Sequence, residues 1–189
     1  MISSSSRGMP SIVAHVGELD AWRYCPRCRG ELTPGEGRVE CSSCGFVAYA
    51  NSKPTASALI VDDEGRILLT RRAVEPFKGD WDIPGGFLEE GEHPLDGIRR
   101  ELREETGLEV EPLEFFGVFM DRYGGDSTAQ STLNLLWTAR VLGGEPRPDD
   151  DVEELRWFGP DELPREEELA FRPNVPNVLS AWRAGQKQA

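Results

Sequence analysis

With 189 residues, 38% of them apolar and 29% charged, the chain has the composition of a globular protein, and intrinsic disorder is not expected. Its formal net charge of −13, from 34 acidic and 21 basic residues, disfavours nonspecific attraction to nucleic acid or to an anionic membrane surface. An acidic protein acting on phosphates needs a cation as go-between.

Residues 1–20 read as an N-terminal extension, expected to be flexible. A serine run opens it, and no basic region followed by an apolar stretch marks a signal peptide. No segment approaches the roughly 20 apolar residues of a membrane span, so no membrane partner and a cytoplasmic location are expected.

Over residues 21–50, Cys25 and Cys28 form one C-x-x-C and Cys41 and Cys44 form a second. Two such knuckles place four thiolates around one tetrahedral zinc ion, and Gly30 and Gly45 suit the turns. Two disulfides are the rival reading, disfavoured in a reducing compartment. A four-thiolate site leaves no position for water, so this zinc is expected to be structural. Arg23, Arg27, Arg29 and Arg38 also fall here and read either as a solvated face or as a nucleic-acid or partner contact.

A polar connector over 49–54 leads into a second domain, 51–189. Thr55–Val61 and Arg66–Thr70 are apolar, β-branched-rich runs around the turn Asp62–Gly65, and the pair reads as a hairpin. His93–Thr106 reads as a helix with Leu95, Ile98 and Leu102 on one side and Gly107 as its terminator. Strand signals return at 113–120, 132–141 and 155–158, and Asn174–Arg183 reads as a second helix with Val175, Val178, Leu179 and Trp182 on one side. The pattern indicates an α+β or α/β layered domain with a mixed sheet.

At about 100° per residue, Glu101, Glu104 and Glu105 share one narrow sector of the first helix, away from its apolar side. Like charges at these spacings repel, and a bound hard cation removes the penalty. Pro84-Gly85-Gly86 precedes the helix and permits close backbone approach, so the Gly86 carbonyl is a further candidate ligand.

From Gly86 to Leu108 the chain reads Gly-x5-Glu-x7-Arg-Glu-Leu-x-Glu-Glu-x-Gly-Leu, with Glu92, Arg100, Glu101, Leu102, Glu104, Glu105 and Gly107 in the fixed places. This resembles the Nudix hydrolase signature at every defined position. The resemblance implies an α/β/α sandwich and hydrolysis of a diphosphate linkage in a nucleotide derivative, assisted by Mg²⁺ or Mn²⁺. It implies Glu101, Glu104 and Glu105 as metal ligands, with Arg100 and Glu92 as a supporting pair. The general base is left open among Glu101, Glu104, Glu153 and Glu154, the last two standing just before Trp157.

The order of zinc ribbon then Nudix domain is similar to that of NADH pyrophosphatases and of zinc-ribbon Nudix enzymes acting on FAD or ADP-ribose-like compounds. The Ser-Gln-Pro-Trp-Pro-Phe-Pro-x-Ser stretch of the NADH group is absent, since the corresponding region runs Glu114-Phe-Phe-Gly-Val-Phe-Met-Asp121. ADP-ribose, FAD or a related dinucleotide is therefore the expected substrate class, with NADH or NAD as the alternative. Arg71 or Arg72 is a candidate phosphate clamp, and Tyr123 and Phe77 are candidate base-stacking residues, against ordinary packing roles for each. The resemblance makes a homodimer the better expectation for assembly. A catalytically silent nucleotide sensor or nucleic-acid adaptor is the competing class of answer.

Overall fold

The computed structural model describes residues 18–124, 130–149 and 151–186, so the N-terminal extension expected over 1–20 lies outside the described residues up to residue 17. The chain divides into two units, Met1–Asn51 and Ser52–Ala189.

In the first unit a 3₁₀ turn, Glu18–Ala21, precedes three short antiparallel strands, β1 (Leu32–Gly35), β2 (Arg38–Cys41) and β3 (Val47–Tyr49), paired in that order. Its buried apolar cluster consists of Leu19, Cys25, Leu32, Val39 and Cys41. A cluster that small cannot offset the chain entropy of some thirty ordered residues, which is the condition under which a small module depends on a metal or cross-link.

The second unit carries β4 (Lys53–Ile60), β5 (Ile67–Arg72), β6 (Trp81–Asp82), β7 (Gly85–Phe87), α1 (Pro94–Thr106), β8 (Leu108–Tyr123), β9 (Gln130–Gly144), β10 (Val152–Phe158) and α2 (Asn174–Gln186). Strands β7-β4-β9-β8 form one sheet, with β4 and β9 parallel and the other pairs antiparallel. Strands β10-β5-β6 form a second, antiparallel sheet.

Strand β4 alternates between two cores. Leu59 joins Ile67, Leu69, Trp81, Leu136 and the buried side of α2, whereas Ala56, Ala58 and Ile60 join Ile98 and Leu102 of α1. Burial on both faces suits the parallel pairing, and the result is the expected α/β/α arrangement around a mixed sheet.

The hairpin expected from Thr55–Val61 and Arg66–Thr70 forms only at its turn. Asp62 accepts from the backbone N–H groups of Glu64 and Arg66 and from the Arg66 guanidinium, closing the turn, and one bridge pairs Val61 with Ile67. Beyond it the strands part, because β7 and β9 occupy both edges of β4 while β6 and β10 occupy both edges of β5. Strand β8 starts directly after the helix, five residues before the expected 113, and takes up three register shifts against β9.

Helix α1 starts at Pro94, where the missing N–H is no loss, and His93 Nδ1 accepts from the Leu95 amide at 3.3 Å. It stops at Gly107, whose φ of 69° lets its N–H return to the Arg103 carbonyl. Ile98 and Leu102 are fully buried, whereas Leu95 is only half-buried. No helix among the described residues is long and apolar enough to cross a membrane.

Since Leu102 is enclosed between α1 and the sheet, Leu102→Ala is expected to cost about 2–5 kcal/mol, and Leu95→Ala clearly less. Urea unfolding monitored by circular dichroism checks this ordering.

Candidate active site

The site is built where α1, β7 and the sheet meet. Gly86 pairs with Ala56 and Gly85 with Ser57 across the β4–β7 ladder. Gly85 adopts a φ of 142°, and a Cβ there would lie 2.4 Å from the Ala56 carbonyl oxygen and 2.5 Å from Ser57 Cα, both rigid backbone. A Cβ on Gly86 would lie 2.4 Å from the Glu101 carboxylate. The two glycines thus let the loop backbone approach the carboxylates of α1, and Gly85 N–H donates to Glu105 Oε2 at 2.9 Å.

Arg100 organises the same face. Its guanidinium grips Glu92 with two hydrogen bonds of 2.9 and 2.8 Å, donates to Glu101 Oε1 at 2.7 Å and Glu104 Oε2 at 3.3 Å, and reaches the Phe87 carbonyl at 3.1 Å. The hydrogen bonds from Arg100 hold the Glu92 carboxyl down at about 2. Burial raises the Glu101 carboxyl above its ordinary value despite Arg100. Burial raises Glu105 well above the carboxylate range, and the nearby charges of Asp151, Asp82 and Glu101 push it further.

Glu101, Glu104 and Glu105 line one cavity of about 280 Å³ together with Asp82, Asp121 and Asp151. Burial lifts Asp82 to about 6 although Arg72 pairs with it. The floor is polar and neutral, made of Thr55, Ser57, Thr132 and Asn134 from β4 and β9. The far wall is aromatic: Tyr123 stacks on Phe171 at 5.8 Å and 21° and meets Phe87 edge-on at 5.2 Å.

Carboxylates concentrated in a partly buried pocket, with neutral oxygen groups beside them, are a donor set for a hard divalent cation. The three glutamates share the cavity wall without all closing on one point. Among the described residues, the one cluster whose ligand atoms all lie within 4.8 Å is Cys25, Cys28, Cys41 and Cys44. Sulfur separations of 3.6 Å for Cys25–Cys44 and 3.5 Å for Cys28–Cys41 are far beyond a disulfide bond. They approach the roughly 3.8 Å edge of a tetrahedron with 2.3 Å metal–sulfur bonds.

The two knuckles repeat one pattern. Arg29 N–H returns to the Cys25 carbonyl and Gly45 N–H to the Cys41 carbonyl, each at 2.9 Å. The left-handed position of the first knuckle is therefore held by Arg29, with φ 63°, and not by Gly30; Gly45 takes the equivalent place with φ 71°. Gly30 matters for space, since a Cβ there would lie 2.8 Å from Ser43 Oγ.

Several expected site residues are placed elsewhere. Glu154 pairs with Arg71 and Arg156, and Glu153 with Arg71, so neither lines the cavity. The irregularity between Val152 and Glu154 in the β10–β5 pairing separates them from Asp151, which does line it. Arg71 donates to the Gly79 carbonyl and lies outside; Arg72 lies inside. Phe77 sits behind the cavity wall, edge-on to Phe171 at 5.0 Å.

Sequence reasoning passed over Asp82, Asp121, Asp151 and Phe171. Asp151 closes the acidic run 149–151 just before a strand, and Asp82 stands two residues before Pro84-Gly85-Gly86, which are usable signals. Nothing local distinguishes Phe171; only the return of the chain over the cavity does.

Residues 51–179 match the NUDIX domain family. An ADP-ribose pyrophosphatase of Methanocaldococcus jannaschii is 34% identical over 129 residues, covering 67% of this chain and 72% of that protein. The NAD-capped RNA hydrolase NudC of Pseudomonas fluorescens is 28% identical over 160 residues, covering 81% of this chain and 55% of that protein, so the chain spans about half of that relative's length. Among solved structures, a NUDIX hydrolase from Nitrosomonas europaea aligns with a TM-score of 0.74 at 28% identity, covering 89% of this chain and 94% of the other.

Because folding raises the Glu105 carboxyl above its ordinary 4.5, its ionisation opposes folding at neutral pH. Glu105→Gln is expected to raise the melting temperature in chelator at pH 7.5 by a few degrees. The difference should shrink as pH falls toward 4.5 and disappear well below it, where the carboxyl is protonated in both states. Differential scanning calorimetry across that range checks both parts.

Proposed function

The chain belongs to the Nudix family and is a Nudix hydrolase, and on that premise we propose that it cleaves the diphosphate linkage of a nucleoside diphosphate derivative, with ADP-ribose or a related dinucleotide as substrate. The observation that carries this reading is a single cavity that joins the box carboxylates at one side to a pair of stacked aromatic rings at the other. A diphosphate flanked by a nucleoside presents those two chemistries, an anionic centre and a flat apolar base.

Mg²⁺ or Mn²⁺ suits the donor set of Glu101, Glu104, Glu105 and the Gly86 carbonyl, and when bound it neutralises the diphosphate and activates water for attack at phosphorus. The protein's own contribution is positional. Arg100, itself tied to Glu92, fixes the rotamers of Glu101 and Glu104, and Gly85 N–H fixes Glu105. Asp151 replaces Glu153 and Glu154 as the candidate late carboxylate, because it faces the cavity and they do not. Tyr123 and Phe171 provide the surface on which a base stacks. Arg72 pairs with Asp82 and keeps a buried Nη2 without a hydrogen-bond partner among the described residues in the cavity wall, so of the two arginines it is the candidate phosphate clamp.

For the first unit we propose one structural Zn²⁺ on Cys25, Cys28, Cys41 and Cys44. A backbone amide points at each sulfur of the first knuckle, from Arg27 to Cys25 and from Gly30 to Cys28, each at 3.4 Å. NADH or NAD is the second reading, favoured by the 160-residue match to an NAD-capped RNA hydrolase.

A panel of ADP-ribose, FAD, NADH, dinucleoside polyphosphates and nucleoside triphosphates, assayed with Mg²⁺ or Mn²⁺, tests the reading. ADP-ribose is expected to be the best substrate; no turnover of any compound would sink the proposal. Glu105→Gln is expected to lower kcat by at least about a hundredfold, and Tyr123→Ala or Phe171→Ala to act mainly on KM. Zinc analysis of purified protein should give about one equivalent per chain, lost in Cys41→Ser together with thermal stability of the first unit.

A further inference from the structure

The charges around the cavity are lopsided. Among the described residues six carboxylates line it against one guanidinium, that of Arg72. Arg72 is partly engaged: it donates to Asp82 Oδ2 at 3.2 Å and to the Pro76 carbonyl at 2.7 Å, and the Phe171 ring lies 5.2 Å from its Cζ, while its buried Nη2 has no hydrogen-bond partner among the described residues. Divalent cations at the box would offset Glu101, Glu104 and Glu105.

Asp121 stands on β8, three strands across the sheet floor from Gly85 on β7. The row of Gly85 runs through Ser57 and Leu136 to Gly117, so Asp121 lies four residues further along β8, at the other end of the floor, with its charge still felt by Asp82. Its neighbours on the floor are Thr132, directly opposite on β9, and the hydrogen-bonded pair Thr55 and Asn134. Asp121 makes no ion pair among the described residues; its Oδ1 accepts only the N–H of Arg122, at 2.7 Å. Lys53 shares the cross-strand row through Thr132 but is not part of the cavity lining.

Resting on the hydrolase reading above, we propose that Asp121 is a specificity-determining residue. It admits at this end of the cavity a neutral group bearing hydroxyl or amide donors, such as a ribose diol, and rejects one carrying an additional phosphate. The carboxylate accepts hydrogen bonds from a diol, whereas a phosphate placed there meets a like charge with no cation between them. At about 6 Å and an effective dielectric near 40, that repulsion corresponds to roughly tenfold per negative charge.

Two matched pairs isolate the effect of a single phosphate: ADP-ribose against ADP-ribose 1″-phosphate, and NADH against NADPH. The native protein is expected to favour the unphosphorylated member of at least one pair by about tenfold or more in kcat/KM. Asp121→Asn should narrow that ratio severalfold, and high salt should narrow it in the native protein. Each comparison is a ratio within one variant, so a general loss of activity or fold cancels. Equal kcat/KM within both pairs, or a ratio unchanged in Asp121→Asn, overturns the inference. No turnover of any of these compounds would instead remove the hydrolase reading. Dissociation constants for the same pairs, from titration calorimetry, would then decide the selectivity by the same ratios.

Discussion

The guanidinium of Arg100 is the interaction on which the site depends. It lies among Glu92, Glu101 and Glu104 and touches the Phe87 carbonyl, so one side chain joins the loop before α1 to the acidic face of α1. Like-charged glutamates one turn apart would otherwise splay into solvent. Replacing the planar fork by lysine would keep the charge and lose the simultaneous contacts. The raised Glu101 and Glu105 carboxyls show that this organisation is only partly compensated, leaving a pocket whose electrostatics favour a further cation.

The α1 helix was largely legible in the sequence because its determinants are local. Pro94 at the start, Gly107 at the end, and Ile98 and Leu102 four apart fix its limits and its buried side, and the fixed spacing of the box fixes which glutamates share a sector. What escaped was long-range. Whether Glu154 or Asp151 faces the cavity is decided by the irregular pairing of β10 with β5, and periodicity does not show it. The aromatic wall needs Phe87, Tyr123 and Phe171, which lie far apart in the chain. The hairpin expectation failed for the same reason: the turn chemistry of Asp62 was right, but competition for strand edges carried its two arms into different sheets.

The first unit follows a different economy of structure. Its few buried side chains include two of the four cysteines, so the same residues form core and cluster. The paired knuckles show how turn geometry can be kept with different residues, since the conformation that Gly45 adopts without strain is taken by Arg29 in the other half.

The parallel pairing of β4 with β9 has a consequence for how the chain acquires its site. Thr55 and Asn134, bonded on the cavity floor, are 79 residues apart, and every segment of the box lies between them. The loop they close must be ordered against its entropy before their contact returns any stabilisation. The helix and its caps can form early from local contacts, whereas the floor awaits the arrival of β9. On a ribosome, the helix that carries the three glutamates would emerge well before the strand that completes the cavity beneath it.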